Sequence, residues 1–173
     1  MPPAVDPAPP PAPARARAIA ALAIANRERR YVITGSSVAE LVDAMRRLGP
    51  RESGTPVDAL TAWDLESSYR EGTAAGDCAL REVRVRLTVT VTLPRWDPPA
   101  DAPARLVESW QRFLEHVKLH EAGHRAIAEQ SARDLAAALT ALRGRVCDDV
   151  FDDAGRTATR VVERGRAKNR AYD

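Results

Sequence analysis

The stretch from Glu82 to Leu93, EVRVRLTVTVTL, alternates without a break. Val83, Val85, Leu87, Val89, Val91 and Leu93 fall on one side, and Arg84, Arg86, Thr88, Thr90 and Thr92 on the other. Successive side chains of a strand point to opposite faces, so the pattern predicts a strand with one face buried and one wet. A sheet covered on one face only is characteristically antiparallel. The rest of the chain must therefore supply partner strands and a layer of helices.

Both can be read along the chain. RYVITG, residues 30–35, predicts a short strand, and ALTAWDLESSYR, residues 59–70, an extended segment. Between them SSVAELVDAMRRLGP predicts a helix, with Ser36 or Ser37 as cap and Glu40 completing a capping box. Gly49 and Pro50 stop it, and RESGTPVD reads as a loop. EGTAAGD reads as a turn, and Pro94 is expected to end the alternating strand. A long helix is predicted over 102–143, with Leu106, Trp110, Phe113, Val117, Ile127, Leu135 and Leu142 on one stripe. A charged second helix follows over 147–171. The expectation is an α+β fold, a small antiparallel sheet packed against a long helix and a C-terminal helix. A chain of 173 residues suits one such core.

The N-terminus reads differently. MPPAVDPAPPPAPA, residues 1–14, is expected to be disordered or polyproline-like. RARAIAALAIAN then sets Arg15 and Arg17 before an apolar run, with Ala23 and Ala25 in a small-x-small pattern. That reads as a short secretory signal with a cleavage site, or as a linker entering an alanine-rich helix. The expected organisation is residues 1–29 as signal or linker and 30–173 as one metallopeptidase-like domain. No stretch is apolar enough to span a bilayer. A net charge of +2, dispersed arginines and 5% aromatics leave no basis for a nucleic-acid surface. Cys78 and Cys147 suit one disulfide in an oxidising compartment, or two buried thiols.

The long helix carries HVKLHEAGH, residues 116–124, which holds all three histidines. His120, Glu121 and His124 form H-E-x-x-H. Residues four apart on a helix share a face, so two imidazoles so placed can bind one zinc ion. The glutamate beside the first histidine can act as general base toward a zinc-activated water. Both histidines lie on the stripe of Phe113, Val117 and Ile127, where a buried polar ring needs a partner. Gly123 costs about 1 kcal/mol against alanine inside a helix, and suits a close approach by another backbone or a substrate. His116 is one turn earlier, roughly 12 Å from His124 at 1.5 Å per residue, too far to share one ion with both. It reads as a surface residue, or as a neighbour that tunes the site or binds substrate. The third ligand must come from elsewhere: Asp148, Asp149, Asp152, Asp153, Glu163, Tyr172 and Asp173 are the candidates.

Several segments carry a family likeness: WQRFLEHVKLHEAGHRAIAE, TVTVTLPRW, YVITG, ELVDAMRRLGP, TAWDLESSY and the final Tyr-Asp. Over residues 30–173 the chain resembles a bacterial family catalogued as a domain of unknown function and described as predicted secreted zinc-dependent proteases. The resemblance implies His120 and His124 as zinc ligands and Glu121 as catalytic glutamate. It makes Asp173 the leading third ligand, gives weight to Tyr172, and favours a Cys78–Cys147 disulfide with a periplasmic or secreted location. The functional expectation is a zinc-dependent hydrolase, a peptidase acting on peptide or protein. The alternative is a non-catalytic zinc-binding or structural module of the cell envelope. The 82–93 strand, if at a sheet edge beside the site, is expected to pair with an extended peptide. Trp63, Trp96 and Trp110 are expected to pack in the core or at sheet edges, and Arg84 and Arg86 to face solvent.

Overall fold

A computed structural model of the protein describes residues 20–74 and 76–173. The proline-rich segment 1–14 and the start of the apolar run lie outside the described residues. The elements in order are β1 (Ala21–Ile33), α1 (Val38–Leu48), β2 (Arg51–Glu52), β3 (Thr55–Pro56), β4 (Leu60–Ala74), β5 (Asp77–Trp96), α2 (Ala104–Ala141), β6 (Arg143–Gly144) and α3 (Cys147–Tyr172). The architecture is α+β, with α2 and α3 against one face of the sheet, as the sequence predicts.

The alternating strand is the centre of the sheet. β5 lies between β4 and β1, and β6 pairs with its first residues, Cys78 and Ala79. β4 and β5 form a long antiparallel hairpin turning at Gly76, whose φ of 88° suits a residue without a side chain. The inward residues Val83, Val85, Leu87 and Val89 are almost completely buried. Ala128, Ala132, Leu135, Ala136 and Leu139 of α2 cover them, and the alanines let the helix approach the strand closely. Val150, Ala154 and Val161 of α3 complete this core. A second cluster gathers Ile33, Leu41, Ala44, Met45, Trp96, Leu106 and Trp110 where α1 and the first half of α2 meet the strand ends. The Trp96 indole donates to Gly35 O at 3.1 Å and meets Trp110 edge-on.

Four expectations change. First, the sheet is mixed. β1 runs parallel to β5, with Leu22 beside Val85 and Ile24 beside Leu87. The long crossover through α1 and β4 permits this. Second, β1 starts at Ala21, nine residues before the predicted strand, so part of the run read as a signal or an alanine-rich helix is strand. Leu22 and Ile24 pair with Val85 and Leu87 but stay partly exposed, and the free edge of β5 accepts the strand. Third, β5 continues through Pro94 to Trp96, with Pro94 opposite Tyr31 on β1. Fourth, the expected loop after α1 holds the small β2–β3 hairpin, with Ser53 and Gly54 at positive φ at its tip.

Because β5 is interior, it cannot add a peptide strand. Thr88 already pairs with Ala25 and Asp64, and Thr90 with Arg27 and Ala62. At the other end of the sheet, Cys78 and Cys147 are joined in a disulfide that ties the start of α3 to the start of β5.

Candidate metal centre

α2 and α3 run antiparallel, so the C-terminal end of α3 returns to the middle of α2. There His120 Nε2, His124 Nε2 and an Asp173 carboxylate oxygen converge. His124 Nε2 is 3.1 Å from His120 Nε2 and 2.9 Å from Asp173 Oδ1, and His120 Nε2 is 3.4 Å from the same oxygen. Tetrahedral zinc with bonds of about 2.0–2.1 Å separates its ligand atoms by about 3.3–3.4 Å, close to this spacing. Among the described residues this is the cluster of histidine and carboxylate groups able to hold a metal ion.

The other acidic candidates do not reach it. Asp148, Asp149, Asp152 and Asp153 begin α3, some 20–25 residues before Asp173, or roughly 30–38 Å at 1.5 Å per residue. Asp153 instead holds Arg156 at 2.9 Å. Glu163 is exposed on α3.

The histidines differ in their surroundings. The His124 side chain is 10% exposed, whereas that of His120 is 45% exposed, so only the second histidine of the motif is buried as its stripe predicts. His124 Nδ1 lies 3.3 Å from Asn169 Oδ1. An amide oxygen there accepts the Nδ1 proton, which frees Nε2 to face a metal. Asn169 is one helical turn before Asp173, the signal by which the sequence could have shown it.

Tyr172 packs on both rings, stacked on His120 at 5.1 Å between centroids and edge-on to His124 at 5.0 Å. Gly123 makes this possible: a Cβ there would collide with the Tyr172 ring and hydroxyl. The close approach expected at Gly123 is therefore made by a tyrosine ring.

Glu121 lines the same cleft as the two histidines and also reaches the sheet. It is buried, and the Thr61 hydroxyl on β4 donates to its Oε2 at 2.5 Å. Nothing local in the sequence marks Thr61, because the contact spans 60 residues. His120, Glu121, His124 and Asp173 all line one cleft of about 390 Å³. His116 lines it too, so the structure places it beside the cleft and away from the ligand cluster. Leu60 and Thr61 bring the first residues of β4 to the opposite wall, and β4 is the end strand of its sheet. Nearby, Tyr31 donates to Asp58 O at 2.6 Å, and burial pushes its phenol well above the ordinary range.

No helix of the described residues is long and apolar enough to cross a membrane. No curated protein and no solved structure matches the chain. A family model described as a bacterial protein of unknown function (DUF922) matches residues 28–173. The chain belongs to that family, whose description names no activity.

Proposed function

We propose that this member of the family is a zinc-dependent hydrolase, and specifically a peptidase, with His120, His124 and Asp173 as metal ligands. The observation that carries the reading is the convergence of the three ligand atoms, all within 4.8 Å of one another, at the wall of a cleft. Three protein ligands and an open cleft suit a catalytic zinc, whereas a structural zinc is closed by four. The runner-up, a non-catalytic zinc-binding module, would need a fourth protein ligand, and the described residues offer no other in the cluster.

Zinc, when bound, would supply Lewis acidity toward a carbonyl and an attacking water. Glu121 would take the proton from that water and deliver it to the leaving amine. Thr61 engages Oε2 of Glu121, which leaves Oε1 for this transfer. Asn169 fixes the tautomer of His124, and Tyr172 holds the His120 ring. A peptide is favoured as substrate because the end strand β4 borders the cleft through Leu60 and Thr61, and an extended chain can add to such an edge. The disulfide and the signal-like N-terminus support a periplasmic or secreted location.

Metal analysis of the purified protein is the test. About one zinc per chain is expected, lost in a His120→Ala, His124→Ala double variant. Glu121→Gln should keep the metal and lower peptide cleavage by about 10²–10⁴-fold, the usual contribution of a general base. Absence of zinc from the wild type after incubation with it at neutral pH removes the hydrolase reading. Zinc retained with unchanged cleavage in Glu121→Gln removes the role of Glu121.

A further inference from the structure

A second cavity, of about 400 Å³, opens between α1 and α2. Its floor is formed by Leu41, Met45 and Trp110, all buried, and Phe113 forms one wall. Val38 stands at its rim, 62% exposed. Asp58 and Phe113 line both this groove and the metal cleft, so the two adjoin. A concave apolar pocket with a polar rim, set beside a candidate catalytic cleft, has the form of a ligand subsite.

We infer that the groove is a substrate subsite for a large apolar side chain, preferably aromatic, of a peptide lying in the metal cleft. The inference rests on the peptidase reading above and adds its selectivity. Trp110 and Phe113, 5.4 Å apart and tilted by 40°, present ring faces and edges against which a third ring packs. Met45 is adaptable enough to mould to it. The position of the selected side chain follows from helix geometry. Phe113 and Trp110 precede His120 by seven and ten residues on α2, about 10 and 15 Å along the axis. For an extended peptide lying along α2 and advancing about 3.3 Å per residue, the recognised side chain lies about three to five residues from the cleaved bond.

Ser109→Trp tests this without entering the core, because Ser109 is exposed at the groove rim. The zinc-loaded full chain is incubated with a random-sequence peptide mixture, and the products are sequenced by mass spectrometry. Expected is an enrichment of aromatic and large aliphatic residues three to five positions from the cut. In Ser109→Trp, kcat/KM for peptides carrying them should fall about ten- to hundredfold, with peptides small at that position unaffected. Cleavage without positional preference overturns the subsite and leaves the peptidase reading intact. No cleavage of any peptide by the zinc-loaded protein overturns both. A titration with N-acetyl-phenylalaninamide, followed by NMR, reads the groove without catalysis. Shifts at Val38, Met45 and the Trp110 indole, absent in Ser109→Trp, are expected. No shift overturns the proposal, as do shifts of these residues that depend on protein concentration alone, which would assign the groove to a second copy of the chain.

Discussion

At the scale of single residues, Gly123 and Thr61 carry the most testable consequences. Alanine at Gly123 should favour the helix by about 1 kcal/mol if nothing else changed. The Tyr172 ring would have to swing off His120 to admit the methyl group, taking Asp173 with it. Gly123→Ala is therefore expected to fold as well as the wild type but to bind zinc about 10–100-fold more weakly, the range for losing a group that orients a ligand. Competition with a chromogenic chelator measures this. Thr61→Val keeps the shape and removes the hydroxyl that Glu121 accepts from. A buried carboxylate left without its partner should lower stability by about 1–3 kcal/mol, seen as a lower urea midpoint at unchanged slope. The histidines and Glu121 were legible in the sequence because helical periodicity fixes their relation locally. Thr61 was not, since only the folded sheet brings it to the motif. From spacing alone Asp173 was one acid among several; the family resemblance put it first, and the antiparallel return of α3 brings it to the two histidines.

At the scale of elements, β5 and the two long helices follow from periodicity, and β1 does not. Leu22 and Ile24 among alanines fit a helix or a leader as well as a strand; what decides is the unfilled edge of β5, a tertiary fact. Pro94 misled for a related reason. Proline lacks one donor, yet pairing continues past it because Arg95 and Trp96 still meet Val32 and Ile33 on β1. The disulfide is also an element-scale device, since it pins α3 to β5 across 69 residues. Closing a loop of that size restricts the unfolded chain by about 4 kcal/mol in the chain-entropy model. Reduction by a phosphine should lower the urea midpoint accordingly. An unchanged midpoint would mean that this cross-link contributes nothing to stability.

At the scale of the whole molecule, α2 serves both hydrophobic clusters and carries the candidate ligands between them. Its first half packs with α1 and Trp96 through Leu106 and Trp110, and its second half covers the sheet through Ala128, Leu135 and Leu139. A metal ion held by His120, His124 and Asp173 would link the middle of α2 to the far end of α3, a contact the unfolded chain lacks. Zinc in thousandfold excess over its dissociation constant should then stabilise the fold by about 4 kcal/mol. For a chain of this size that corresponds to a rise of roughly 10 °C in Tm. Calorimetry with zinc and with a chelator should show this shift in the wild type and little of it in Asp173→Ala. An equal shift in the variant would remove Asp173 from the ligand set.

The parallel edge strand has a further consequence, one of timing. Ala21–Ala25 of β1 pair with Arg84–Thr88. The same five residues end in the small-x-small pattern of a leader. If this segment serves as an export leader, export and folding compete for them. A leader cut after Ala25 would leave β1 as Asn26–Ile33 and bare the side of β5 along its basic stretch, so maturation itself would decide how wide the finished sheet is.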